Sequence, residues 1–310
     1  MTGAWERVRT AQERFGARLG SARVRWHWLD HLVRTFQRYQ IQSGDRLAGA
    51  VSYFAFLSFF PIVALAFAVF GYFLSVTPDA PGTLRKAIDQ YLPGLADKLP
   101  IQEIADSRTS AGIIGLLGLL YAGLGAIDAL RGALREISMT TEAPLGFAMA
   151  KLRDLAGLVL VGTTMVASVL VAGFATQASG TVAGWVGLSG SVVATTTIWL
   201  VGLAVSVLAD VVVFLILLRW LGRLRQPFPV LLRGALFGAI GFALLKQLAA
   251  LVLSSTLNNP VYGVFAVVVG LLVWINLSAR VIMYAAAWTA TASLGPPPDP
   301  TPVPATAIPV

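Results

Sequence analysis

Six long apolar blocks, at about 47–75, 111–134, 152–176, 192–219, 231–256 and 262–291, dominate the chain, with shorter polar stretches between them. A helix needs about 20 apolar residues to cross the hydrocarbon core of a bilayer, so each block is predicted to be a transmembrane helix. The expected fold is all-α: a polytopic membrane protein of six transmembrane helices, with both termini on one side. Residues 25–40 follow a different pattern. Trp28, Leu29, Leu32, Val33, Phe36 and Tyr39 share one broad helical face, and Arg25, Arg34 and Arg38 fall mostly elsewhere. That pattern predicts an amphipathic helix lying on the inner leaflet, with a cytoplasmic helix packed on the loops as the alternative.

The polar stretches complete the organisation. Residues 1–46 form a basic cytoplasmic region containing the amphipathic helix, and 47–292 form the transmembrane domain. Its outer loop at about 76–110 spaces Leu84, Ile88, Leu92, Leu95, Leu99 and Ile104 at near-helical intervals broken by Pro93 and Pro100. Short amphipathic helices capping the outer face are expected there. Residues 293–310 are Pro-rich and are expected to be disordered or in polyproline II.

Composition agrees with this class. Of 310 residues, 56% are hydrophobic and 12% charged, and the mean hydropathy is +0.75, which argues against a soluble single-core protein. With no cysteine, disulfides, thiolate metal sites and thiol nucleophiles are excluded. The first 45 residues lack a short apolar run ending in a small-residue cleavage site, so a removable signal peptide is not expected. The net charge of +8 sits at the ends of apolar blocks rather than in one solvated patch, which points to anionic lipid headgroups and away from nucleic acid. Nine Lys and Arg precede the first block, and the second and fourth loops carry four each. The opposite face has only Arg85, Lys86, Lys98 and Arg108. The positive-inside rule then places both termini in the cytoplasm.

The first block, LAGAVSYFAFLSFFPIVAL (47–65), and the last segment, NPVYGVFAVVVGLLVWINLSARVIMYAAAW (259–288), resemble the hallmark segments of the YihY/virulence factor BrkB family of bacterial inner-membrane proteins. Ala50, Tyr53, Ser58 and Pro61 match the first-span pattern A-x-x-Y-x-x-x-x-S-x-x-P. Tyr262, Gly263, Trp274, Leu277 and Ser278 match a last span that opens Tyr-Gly and continues to a Trp and a Leu-Ser. A Gly-rich second span and the fifth-span opening RGALFGAIGF (233–242) agree as well, and the similarity covers about residues 30 to 292. Many members end the last span with a Gly-Ala-Glu-like turn where this chain has Ala285, Ala286, Ala287 and Trp288, so any role of that acid is absent. The resemblance implies a multi-pass inner-membrane location and a link to virulence and envelope functions. The family's former label, ribonuclease BN, is mistaken.

Ionisable side chains inside spans are functional candidates by default. Four stand out: Asp128, Asp210, Lys246 and Arg280. Asp128 lies three residues from Arg131 and is expected to form a structural interfacial pair with it. At about 1.5 Å per residue, Asp210 lies about 13 Å inside Arg219 and Arg280 about 12 Å inside an interfacial Trp288, while Lys246 lies about 20 Å above Arg233. The matching depths predict an Asp210–Arg280 salt bridge with Lys246 nearby. One acid against two bases would leave a surplus positive charge for an anionic headgroup or carboxylate, unless desolvation deprotonates Lys246.

Asn276, four residues before Arg280, and Gln247, beside Lys246, extend this candidate site, although such amides also serve as helix-to-helix hydrogen bonds. Pro61 frees a backbone carbonyl and marks a kink. Gly234 with Gly238, and Gly112, Gly115 and Gly118, predict close helix packing. His27 and His31 have the i,i+4 spacing of a metal pair but lack a third ligand. No phosphate-binding loop, dinucleotide fingerprint or nucleophile elbow is present, so neither an enzyme nor a cofactor or bound metal is expected. The expected function is transport or handling of an anionic lipid or small anionic substrate, and the alternative is a non-transporting membrane scaffold serving envelope integrity. Membrane lipids are the expected partners, and a homo-oligomer is compatible with the pattern.

Overall fold

The computed structural model describes residues 23, 25–76, 107–139, 146–185, 192–256 and 263–292. The helices expected in the outer loop, the Pro-rich tail, Tyr262 and nearly all of residues 1–24 lie outside these. The chain forms α1 (His27–Ile41), α2 (Gly44–Val76), α3 (Arg108–Ser138), α4 (Phe147–Trp185), α5 (Val192–Leu215), α6 (Phe228–Thr256) and α7 (Gly263–Thr291). A π-helical turn, Ile216–Leu221, extends α5. Each of the six apolar blocks falls within one of α2 to α7, apart from residues 216–219, which lie in the π-helical turn, and Tyr262 at the start of the last. Among the described residues there is no strand.

Five helical stretches are long and apolar enough to cross a membrane: Gly44–Val69, Arg108–Ser138, Gly202–Leu221, Phe228–Ala249 and Val268–Thr291. The block at 152–176 lies inside the 39-residue α4, which is not among the five when only described side chains are counted.

Helices α2 to α7 pack in sequence order, each against the next, and α7 closes on α2. Small residues set the closest approaches. A Cβ at Gly115 would lie 2.9 Å from the backbone nitrogen of Leu65, and one at Gly118 would lie 2.9 Å from the Pro61 ring. The glycine face of α3 therefore receives α2 at Pro61, where the missing N–H removes one backbone hydrogen bond to the turn before. On the other side of the ring, Gly234 faces Thr289 of α7, and Gly238 faces Phe214 of α5 and Ala285 of α7. Both small-residue faces are used as their spacing predicts.

The buried core lies toward the end of the bundle that holds Leu134, Ile137, Leu218, Leu221, Leu231 and Met283. Ile113, Leu117, Leu208, Leu244 and Val273 are exposed, as expected of helices whose outer faces meet lipid.

Helix α1 crosses α7. His31 shares a hydrogen bond of 2.9 Å with the Trp288 carbonyl, Thr35 lies 3.3 Å from the Thr291 hydroxyl, and Tyr39 stacks on Tyr284 with ring centroids 4.0 Å apart. The apolar face read from sequence is thereby divided. Tyr39 is buried in this junction, whereas Trp28 and Phe36 remain exposed. The docking partner is a helix rather than the loops, because His31 and Thr35 find hydrogen-bond partners on α7. Trp288 of α7 packs at the same junction. It stacks flat on Phe237 at 4.7 Å and against His31 at 3.8 Å.

The His31 junction is pH-dependent. Burial lowers the imidazole's pKa from its usual 6.5, opposed by the bond to Trp288, while Arg34 lowers it further and Asp30 raises it. A depressed folded-state pKa means that the unfolded chain binds the proton first, so the stability this contact contributes is full above pH 6.5 and declines below it. Hydrogen exchange of α1 amides is expected to accelerate as pH, after correction for intrinsic rates, drops below about 6.5. His31→Phe should flatten that profile, and an unchanged profile would refute the assignment.

Candidate functional site

Alternate seams of the ring carry charge. The seam between α5 and α6 holds Asp210 and Lys246, the seam between α7 and α2 holds Arg280, and the seam between α3 and α4 holds Asp128. Each pair is set by which helices are neighbours rather than by depth alone.

Between α5 and α6, the Lys246 ammonium donates to Asp210 Oδ2 at 2.6 Å and to Ser206 Oγ at 2.9 Å. Ser206 and Asp210 are one helical turn apart, so a single ammonium can bridge both. Lys246 also lies 5.1 Å from the centroid of the Phe242 ring. The Asp210 side chain is 14% exposed and that of Lys246 33%, so the lysine side chain is only partly covered. Gln247 is exposed and takes no part in this cluster.

Arg280 is not the partner of Asp210. Its guanidinium lies 3.2 Å from Asp45 and donates through Nε to Asn276 at 3.0 Å. Asn276 donates to Ser52 at 3.2 Å, and Ser52 donates to the Ala48 carbonyl at 2.6 Å. Tyr39 of α1 donates to the same Asp45 at 2.6 Å, and burial with the neighbouring carboxylate raises its phenol pKa above the usual value. A polar chain thus ties α1, α2 and α7 together. Matching depth does not bring Asp210 and Arg280 together, because α6 lies between α5 and α7 in the ring. Asp45, at the start of α2, supplies the acid, and the arithmetic of one acid against two bases no longer holds. The local signal was an acid at the mouth of the first span, which had been assigned to the polar N-terminal region.

Asp128 pairs with Arg131 as its spacing predicts, but the cluster is larger. Arg131 donates to both oxygens of Asp154, at 2.8 and 3.3 Å, and Lys151 lies 2.9 Å from Asp128. The Asp154 side chain is 0% exposed. Sequence reasoning missed this residue because KLRDLAG looks like the basic edge of a span; the available clue was an acid three residues after Lys151. Beside it, the π-helical turn aims Trp220 so that Arg153 sits 4.7 Å over its ring and donates to its carbonyl.

The family-motif residues are mainly packing elements. Ser58 is buried and donates to the Phe54 carbonyl at 2.7 Å. Pro61 meets Gly118, and the Trp274 ring lies 5.7 Å from Phe242. Tyr53 is exposed, and Gly263 opens α7. His31 is engaged with Trp288. Among the described residues no three histidines or carboxylates gather as metal ligands.

The sequence profile described as virulence factor BrkB matches residues 35–305, which takes in α2 to α7 and all three charged seams. The chain belongs to the virulence factor BrkB family. It is similar to the inner membrane protein YhjD of Escherichia coli, with 29% identity over 84% of this chain and 80% of that protein. It is 31% identical to an uncharacterized protein of Dickeya dadantii over 84% of this chain and 83% of the relative. A UPF0761 membrane protein of Aggregatibacter aphrophilus is 24% identical over 84% and 90% of the two chains. No solved structure matches. The protein is thus a multi-pass membrane protein of the BrkB family, with charged seams between packed helices.

Proposed function

We propose that this BrkB-family protein handles or transports an anionic headgroup or small anionic substrate at the α5–α6 seam, in a bacterial inner membrane that six helices span with both termini cytoplasmic. The observation that carries this proposal is the partly exposed Lys246 side chain, whose ammonium lies inside an apolar span. Two of its three N–H groups go to Asp210 and Ser206, and the third is available to an incoming carboxylate or phosphate oxygen. A charge at the helix centre costs about 2.5–3.5 kcal/mol on insertion scales, and a tight pair with Asp210 offsets that cost when no ligand is bound. The inner-membrane location draws support from the printed name of the Escherichia coli relative.

Vesicles reconstituted with the protein and loaded with candidate anionic lipids or metabolites test the proposal. Lys246→Ala is expected to reduce flux at least about tenfold, the loss of one charge-assisted hydrogen bond. Lys246→Arg should retain more than Lys246→Ala. The scaffold alternative is favoured by the internal neutrality of the Asp45–Arg280 pair. It gains if Lys246→Ala leaves flux unchanged while removal of residues 1–40 abolishes the cellular phenotype.

A further inference from the structure

We infer that the groove between α1 and the cytoplasm-proximal ends of α3 and α7 is a binding site for the headgroup of an anionic phospholipid. The groove has a volume of about 270 Å³ and is lined by Arg34, Gln37, Arg38, Ile41, Gln42 and Met139, with Thr291 of α7 at its edge. It lies apart from Lys246 and does not depend on the proposed transport.

Three features select the ligand. Arg34 and Arg38 are one helical turn apart and share a face of α1. Arg34 is held by Asp30 at 2.5 Å, whereas Arg38, in the last turn of α1, lines the groove with no carboxylate in ion-pair distance among the described residues. Gln37 and Gln42 supply neutral donors for ester or glycerol oxygens.

A free phosphate fits less well. The C-terminal ends of α1, α3 and α7 border the groove, and the partial negative charge of helix C-termini opposes a multivalent anion more strongly than a singly charged one. A phosphodiester carries one charge, which Arg38 can meet alone. Ile41 and Met139 are 76% and 59% exposed, so the remaining wall is apolar, as acyl chains require. The occupant is therefore a lipid seated at the inner surface, where a juxtamembrane arginine attracts anionic lipid.

Native mass spectrometry of the full-length protein, titrated in detergent with phosphatidylglycerol or phosphatidylcholine, tests this. Phosphatidylglycerol is expected to be retained preferentially, and Arg38→Ala should lower its retention about fivefold, the worth of one arginine near the surface. Arg38→Lys should fall by less, because the charge is kept and only the fork is lost. Gln42→Glu, which adds a negative charge to the same groove, should also reduce retention. Arg25→Ala, an exposed arginine of the same amphipathic stretch, should not. Equal retention of phosphatidylcholine, or unchanged retention in both Arg38→Ala and Gln42→Glu, overturns the assignment. Displacement of the lipid by inorganic phosphate at equal concentration does so too, since the ligand would then be a free anion.

Discussion

Replacing Asp154 with leucine is expected to cost about 3 kcal/mol of stability, the lower end of the range for breaking a buried ion pair by removing one partner. Asp154 is fully buried and receives both forks of Arg131. The substitution leaves that guanidinium, only 11% exposed, with Asp128 as its remaining carboxylate. Asp128 is 46% exposed and softens the loss, which is why the upper end of the range is not expected. The measurement is a denaturant titration of the purified protein in detergent, with helical content as the readout.

Two companion variants separate charge from volume. In the double variant Asp154→Leu/Arg131→Met the unpaired charge is gone, and more than half of the lost stability should return, because apolar replacement of a whole buried pair is often neutral. Asp128→Ala, whose carboxylate is half exposed, should change stability by no more than about 1 kcal/mol. If Asp154→Leu alone is as stable as the parent, the buried cluster is not a structural keystone of the α3–α4 seam.

The second large effect is expected at Gly238. An alanine there would place its Cβ 2.4 Å from the Phe214 ring and 2.9 Å from the Ala285 Cβ. Both neighbours are buried, so the helices must separate or the ring must leave its rotamer, at a cost of about 2 kcal/mol, within the range for overpacking. Shortening the obstructing side chain in Gly238→Ala/Phe214→Leu should restore part of it. Gly132→Ala is the control: nothing lies within 4 Å of its added methyl, and helix propensity alone should stabilise by up to about 1 kcal/mol. Equal behaviour of Gly238→Ala and Gly132→Ala would show that close packing of α6 is not needed.

These two sites differ in how far they could be read from the chain. Gly238 was legible, because a glycine four residues from Gly234 in an apolar block already defines a small face, and such a face serves to bring a neighbour close. Asp154 was not, because a carboxylate among Lys151 and Arg153 at the edge of a block looks solvated until the neighbouring helix is placed. The Asp210 pairing was legible in part. An acid in an apolar run demands a cation, and Lys246 was within reach. Depth alone favours Arg280, and depth fails because α6 lies between α5 and α7 in the ring.

The amphipathic helix shows the same division. Its periodicity marks the helix and its face but does not reveal His31 and Thr35 as docking groups, because their hydrogen-bond partners lie more than 250 residues away on α7. Sequence by itself determined the all-helical membrane class, the positions of the six apolar blocks, the small-residue faces and the presence of charges that must be paired. These follow from local properties: hydropathy, helical period and the cost of burying charge. Tertiary structure alone decided which helices adjoin, and hence that Asp210 meets Lys246, Arg280 meets Asp45 and Arg131 meets Asp154. The physical reason is that an ion pair depends on the rotation and adjacency of two helices, which the pattern along either one does not contain.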